Sequence, residues 1–126
     1  MPVVNHRSVE MMLVGYLRTR VSAPVTVEPE QDFQPPMLVI ERIAGNHDGF
    51  RLDYPMIDVD AFAGNRGSAE TLSWEAHDAF LALKGTIQRG LVIARVDVDA
   101  APRHVNYGNR NMRRFSSTYT LTIHVA

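Results

Sequence analysis

Four aspartates are the residues of this chain best suited to metal binding or acid–base chemistry. They stand at alternate positions in two apolar phrases, Ile-Asp-Val-Asp and Val-Asp-Val-Asp, as Asp58, Asp60, Asp97 and Asp99. Carboxylates that meet across neighbouring strands bind hard cations or act as general acid and base. Alternating acids are also typical of the solvent-facing side of a sheet. We favour this second interpretation because no base, nucleophile or oxyanion donor accompanies the acids; cation binding and catalysis remain the alternatives.

Histidine, glycine and cysteine motifs of known chemistry are absent from the sequence. The five histidines lack the HxH and HExxH spacings of metal sites and the His-Asp-Ser order of hydrolases, so each is expected at the surface. No glycine-rich loop has P-loop spacing. With no cysteine, the chain has neither disulfides nor cysteine-zinc sites. The sequence therefore predicts no enzyme, no metal site and no cofactor.

Charge is unevenly distributed, although the formal net charge is only -1. Residues 1–99 carry 9 basic and 14 acidic side chains, whereas residues 100–126 carry four arginines and no acid. Aromatic and turn-forming residues are interleaved with these arginines, which predicts a basic docking loop containing Arg103, Arg110, Arg113 and Arg114. An acidic neighbouring subunit is the favoured partner of this arginine loop, and nucleic acid is the alternative.

Periodicity and turn residues divide the chain into two helices and four strands. Apolar residues recur at helical spacing over residues 6–20, and a second helix is predicted from Ser68 to Lys84. Its predicted core stripe consists of Leu72, Ala76, Ala79, Phe80 and Leu83. Residues 22–36 contain four prolines and predict an extended, acidic connection. Strands are predicted where β-branched and apolar residues alternate, at 37–43, 54–63, 91–98 and 115–125. In the last strand, the alternation separates an apolar face from a hydroxyl-rich face.

This element order predicts one α+β domain over residues 1–126, in which a mainly antiparallel sheet of about four strands carries both helices on one face. A chain of 126 residues that is 45% hydrophobic can bury an ordinary core. Its longest apolar run, residues 11–17, is far shorter than the roughly 20 residues of a membrane span. Charged residues on both sides of this run argue against a secretory signal. We expect a mature intracellular chain.

Three blocks carry a resemblance to a known family: residues 54–63 (YPMIDVDAFA), 68–83 (SAETLSWEAHDAFLAL) and 115–125 (FSSTYTLTIHV). They resemble the tail terminator, or tail-completion, proteins of long-tailed bacteriophages and their head–tail joining relatives. The similarity extends from the first helix to the final strand. It implies a non-catalytic α+β subunit without a cofactor, which assembles in the host cytoplasm as a hexameric ring. That ring caps the tail tube at the head-proximal end of the virion tail.

The resemblance also implies roles for three groups of residues. The four aspartates are expected near the lumen of the ring or a subunit seam, where carboxylates repel the phosphates of passing DNA. Trp74 and Leu81, which are apolar outside the core stripe of the second helix, are expected to contact the neighbouring subunit unless a sheet or loop covers them. The arginine loop is expected to dock on the tail tube protein or the head–tail connector protein. DNA is expected to pass without specific binding, and no membrane is involved.

Other functions remain as alternatives. A neighbouring neck or head–tail connector protein of the same fold would share these patterns, and a small nucleic-acid-binding protein would use the arginine loop. An enzyme using the aspartates with a divalent ion is the least favoured. The opposite charges of the two segments suit the heterologous contacts from which rings close. The number six comes from the resemblance alone.

Overall fold

The computed structural model describes residues 6–45, 52–108 and 111–125 of the chain. In these ranges two helices and seven strands follow one another: α1 (His6–Arg18), β1 (Val25–Thr26), β2 (Met37–Ala44), β3 (Leu52–Asp53), β4 (Met56–Ala63), α2 (Arg66–Leu81), β5 (Ile87–Gln88), β6 (Leu91–Val105) and β7 (Arg113–Val125). Neither of the two helices combines the length and the apolar character that crossing a membrane requires.

The strands form one curled, half-barrel sheet in the order β1-β2-β4-β7-β6-β5, and β3 pairs with the far end of β7. β1 and β2 run parallel, whereas the other pairs are antiparallel. The predicted fold of about four mainly antiparallel strands is therefore wrong, because the described residues form a mixed sheet of seven strands. Three of these strands have two residues each, too few for an alternating pattern to reveal.

The last two strands are longer than predicted and form a hairpin. β6 has 15 residues and β7 has 13, so three of the four arginines of the predicted loop, Arg103, Arg113 and Arg114, lie on strands. The register of β6 shifts at three points between Ile93 and Arg103. Each shift places an extra residue on one strand and reverses the alternation of faces. This explains why the sequence pattern faded after Val98 although the strand continues to Val105.

Both helices pack on the same face of the sheet and enclose one core. The predicted stripe of the second helix is fully confirmed, since all its members are buried: Leu72, Ala76, Ala79, Phe80 and Leu83. α1 buries Met12, Leu13 and Leu17 in the same core. The Tyr16 hydroxyl donates a hydrogen bond to the carbonyl oxygen of Ala79 at 2.8 Å, which joins the two helices to each other.

The second helix begins earlier than predicted because Asn65, rather than Ser68, caps it. Asn65 has an extended backbone, and its side-chain oxygen accepts a hydrogen bond from the Ser68 backbone N–H at 2.9 Å. Asparagine is among the best residues for this position because it satisfies an N–H that has no partner in the first helical turn. The helix then ends at Leu81, three residues before the predicted Lys84.

A buried ion pair holds β3 in place. The Arg42 guanidinium on β2 donates two hydrogen bonds of 2.7 Å to the carboxylate of Asp53, whose side chain is fully buried. Two parallel N–H···O contacts make this geometry stronger than a single ion contact. The position of β3 is thus stabilised by charge rather than by strand propensity.

The two outer edges of the sheet differ. Next to β1, the backbone N–H of Arg42 on β2 donates to Glu10 of α1 at 3.1 Å, so a side chain covers this edge. At the other edge, β5 pairs with Leu91 and Val92 alone, and no other strand in the described ranges pairs with the outer side of β6. Pro102, which has no N–H to donate, interrupts that open edge.

Candidate functional site

The four aspartates lie on the sheet face opposite the helices, but the two pairs do not meet. Asp58 and Asp60 are on β4, Asp97 and Asp99 are on β6, and β7 lies between these strands. The condition for a shared cation or an acid–base pair was that their strands be neighbours. The sheet order shows that this condition is not met, because β7 separates β4 from β6. Within the described residues, no cluster of acids and histidines could hold a metal ion.

Hydroxyl groups of β7 bind the acids of β4. Ser116 lies opposite Asp60 and donates a short hydrogen bond to its carboxylate, and Thr118 lies opposite Asp58 and donates to it at 3.2 Å. Burial raises the pKa of Asp60 above its usual value, the Ser116 hydrogen bond opposes that rise, and the nearby Asp58 charge adds to it. These acids are held by neutral donors rather than by a catalytic partner.

The acids of β6 have different partners. Thr120 of β7 donates to the Asp99 carboxylate across the bulge between Val98 and Ala100. Asp97 forms an ion pair with Arg95 on its own strand at 2.9 Å, and both side chains are well exposed. An exposed ion pair of this kind contributes little to stability. The sheet face opposite the helices, which we call the open face, thus carries a network of carboxylates and hydroxyls. The acids are accessible from that side.

Three arginines from separate elements lie toward the far end of the β6–β7 hairpin, which we call the basic end. Arg103 lies on β6 and Arg113 opens β7, while Arg110 falls outside the described residues. Arg66 of α2 joins them, with its guanidinium 6.0 Å from the centre of the Phe115 ring. The predicted arginine loop lacked Arg66, because only the pairing of β4 with β7 brings the start of α2 to this end.

An aromatic cluster supports the basic end on the open face of the sheet. The Phe33 and Phe62 rings lie 5.1 Å apart, the Phe62 and Tyr107 rings lie 5.0 Å apart, and both contacts are edge-to-face. The Arg114 guanidinium lies 5.7 Å from the centre of the Tyr107 ring, within the range of a cation–π contact. Phe33 therefore anchors the proline-rich segment 22–36 to the sheet, a role that its composition did not reveal.

A buried polar cluster lies between α2 and β7. His77, which was expected at the surface, is buried, and its Nδ1 lies 3.0 Å from the hydroxyl of Tyr119. Burial raises the pKa of Tyr119 to about 12, and the nearby Asp78 charge acts in the same direction. The hydroxyls of Ser73 and Ser117 have no hydrogen-bond partner among the described residues. Because both serines are fully buried, no external substrate reaches them as nucleophiles.

The outward side of α2 carries apolar and acidic side chains, and we call it the acidic–aromatic face. Trp74 is 42% exposed and Leu81 is 45% exposed, so no sheet or loop of the described chain covers them. Glu70 and Asp78 lie one helical turn before and after Trp74, and a shallow cavity of about 550 Å³ lies along this side. The Trp74 ring rests edge-on against His77 with the ring centres 4.9 Å apart, which holds it outward.

A second concave surface lies beside α1, and we call it the α1 groove. It has a volume of about 310 Å³ and is lined by Met11, Val14 and Arg18 of α1, by Val27, and by Arg89. Val27 follows β1 and Arg89 follows β5, strands at opposite ends of the sheet order. The curl of the sheet therefore brings both ends to α1, and two cations with no acid line the groove between them.

Comparison with known proteins finds a likeness among solved structures. No family model matches the chain. No curated protein matches it either. Among solved structures, the chain is similar to one from the virion of a native gene transfer agent particle, with a TM-score of 0.54 and 15% sequence identity. The match covers 89% of this chain and 84% of that chain. At this identity the two chains share a fold.

Proposed function

We propose that this chain is a structural protein of a phage-like virion and acts as a tail terminator, without catalytic activity. The observation that carries the proposal is the shared fold with a gene transfer agent virion chain, which extends over most of both chains. A likeness that spans both chains concerns the whole domain rather than a common motif. The resemblance of the sequence to tail terminators favours the same class of protein.

A structural role fits the chemistry of the described residues. The aspartates are divided by β7 and bound by its hydroxyls, and the buried serines are closed to substrates. Neither group provides an accessible nucleophile paired with a base. The exposed features are instead surfaces of opposite charge, which suit contacts between proteins.

In this proposal, copies of the chain close into a ring, six in number by the resemblance, that caps the tail tube and meets the head connector. A ring requires two unlike surfaces on each copy, and this chain presents acidic and basic ones. Trp74 and Leu81 contact the neighbouring copy, and the basic end docks on the tail tube or the connector. The open face with its four aspartates borders the lumen or a seam, where its negative charge keeps passing DNA from binding.

Native mass spectrometry and negative-stain imaging test this function. We expect a closed species of about 85 kDa, six times the 14.1 kDa chain, visible as annular particles that bind one end of purified tail tubes. A chain that stays monomeric at every concentration, even with tail tubes added, contradicts the proposal. If the rings bind connector-bearing heads but not tubes, the chain is a neck protein of the same fold.

Nucleic-acid binding is a second candidate because Arg66 adds a cation to the basic end. Four phosphate contacts, from Arg66, Arg103, Arg113 and Arg114, give a salt slope of about -3.6, so DNA affinity falls on the order of a hundredfold between about 50 and about 200 mM salt. Electrophoretic mobility shifts across this range measure the slope. Tight binding that is lost in the Arg66→Glu/Arg103→Glu variant favours this candidate over the ring.

A further inference from the structure

We propose that the acidic–aromatic face of α2 docks into the α1 groove of a second copy of this chain. The inference rests on the proposed ring and identifies the two surfaces through which neighbouring copies meet. Each surface is exposed, each combines apolar side chains with charge of one sign, and the two signs are opposite. The partner is thus defined by chemistry that this chain itself supplies.

The acidic–aromatic face has the composition of an interface centre rather than of a solvated helix side. Trp74 and Leu81 expose large apolar side chains on the same helix, and tryptophan is among the residues that contribute most to binding energy. Glu70 and Asp78 flank Trp74 one turn away on either side, and Glu75 adds a third carboxylate. A partner for this face needs an apolar recess bordered by cations.

The α1 groove provides such a recess. Met11 and Val27 expose apolar side chains, and the guanidinium groups of Arg18 and Arg89 line the same cavity. Guanidinium groups form bidentate contacts with carboxylates and also stack on aromatic rings. They therefore match both the acids and the indole of the acidic–aromatic face.

The backbone at Arg89 adds an independent observation. Arg89 has φ 50° and Gly90 has φ 77°, so both residues of the tight turn between β5 and β6 are left-handed. Asparagine, aspartate and glycine are the residues that favour the first position of such a turn, and an arginine there is strained. The turn holds Nη2 of Arg89 3.9 Å from the place that a Cβ on Gly15 would occupy. The turn thus places a cation at the border of the groove.

The basic end is a poorer partner for this face. It carries Arg66, Arg103 and Arg113, but its aromatic rings are already occupied: Phe33 packs against Phe62, and Phe62 is buried. It therefore offers positive charge without an apolar recess for Trp74. Charge alone favours either basic surface, and the apolar match favours the α1 groove.

The two surfaces make the contact heterologous, because the face of one copy meets the groove of the next. Every open assembly keeps one unused face at one end and one unused groove at the other, so association continues to a ring or a filament rather than stopping at a dimer. This property allows a test by mixing variants that cannot assemble alone.

The test uses two charge-reversed variants. The face variant, Glu70→Lys/Asp78→Lys, keeps a native groove, and the groove variant, Arg18→Glu/Arg89→Glu, keeps a native face. In either variant alone, like charges meet at every contact, and we expect self-association at least about a hundredfold weaker than in the wild type. In a mixture, each contact joins opposite charges again. We expect an assembly of the wild-type size that contains both variants in equal numbers, measured by native mass spectrometry.

Each outcome has a defined meaning. Recovery of the assembly in the mixture supports the contact, whereas a wild-type assembly that both variants still form overturns this inference and leaves the ring intact. A wild-type chain that never assembles overturns both the ring and this contact. Circular dichroism confirms that each variant is folded. Arg103→Glu, which reverses a charge at the basic end, is the matched control, and we expect it to assemble normally. If Arg103→Glu fails to assemble while the groove variant assembles, the acidic–aromatic face binds the basic end instead, and the inference is overturned.

Discussion

The two faces of β7 use the same residue types for different purposes. On the covered face, Ser117 and Tyr119 lie under α2 with few hydrogen-bond partners. On the open face, Ser116 and Thr118 donate to the carboxylates of Asp60 and Asp58. The covered face stabilises the fold by packing, and its polar groups reduce that gain. The open face satisfies its polar groups and remains available for contact with other molecules.

The largest expected effect is the loss of the Tyr119 ring from the covered face. Tyr119 is fully buried and stacks on Phe80, with ring centres 4.4 Å apart. We expect Tyr119→Ala to lower the free energy of unfolding by about 4 kcal/mol, as for other large aromatic truncations in cores. Urea denaturation followed by circular dichroism measures it. Tyr119→Phe, which keeps the ring and removes the contact with His77, is the control and should cost much less; equal losses would mean that the hydroxyl, rather than packing, matters most.

Replacing two adjacent serines, one on each face of β7, should change the unfolding free energy by smaller amounts and in opposite directions. Ser116→Ala removes a donor to the Asp60 carboxylate and should destabilise the chain by about 2 kcal/mol, because hydrogen bonds to charged groups are stronger than average. Ser117→Ala removes a buried hydroxyl without a satisfactory partner and should stabilise it by about 1 kcal/mol. Thermal and urea unfolding of both variants measure the difference. Equal destabilisation by both would show that Ser117 has a strong partner after all and would remove the contrast between the faces.

The smallest effect is a pH dependence from Asp60. Its pKa is raised above 3.8 in the folded chain, first by burial, so the folded state binds this proton more tightly than the unfolded state does. The associated stability is fully present below pH 3.8 and is lost as pH rises through the raised pKa. Asp60→Asn has no carboxyl group to titrate at this position. As the pH increases through the raised pKa of Asp60, we therefore expect the unfolding free energy of the variant to increase relative to that of the wild type. Urea denaturation at a series of pH values measures it, and a constant difference would contradict the raised pKa.

Strong local patterns predicted the parts of the molecule that depend on one element. The stripe on α2 from Leu72 to Phe80, which continues to Leu83 just after the helix, and the alternation along β7 follow from periodicity, because a single helix or strand face determines their burial. The two-residue strands lack any period, and the bulges of β6 erase one that would otherwise continue to Val105. These features depend on pairing with distant segments.

The candidate surfaces were partly predictable for the same reason. Trp74 and Leu81 were identified because they depart from the stripe of their own helix. Arg66 was missed at the basic end and Arg89 at the α1 groove, since each belongs to its surface only through the order and curl of the sheet. The groove that Arg89 borders depends on how α1 packs, which no local pattern shows.

The unequal edges of the sheet give the chain a polarity. The backbone N–H of Arg42 on β2 is bound by the Glu10 carboxylate. On the outer side of β6, the backbone of Ile93 still bonds with Gly85 and Thr86, and no strand of the described residues pairs with β6 beyond that point, where Pro102 lies. Strands from foreign chains can therefore add at one border only. Because each sheet has one open border, pairing between two such borders joins two chains and leaves no free border for a third, so edge-to-edge addition does not continue into a fibre.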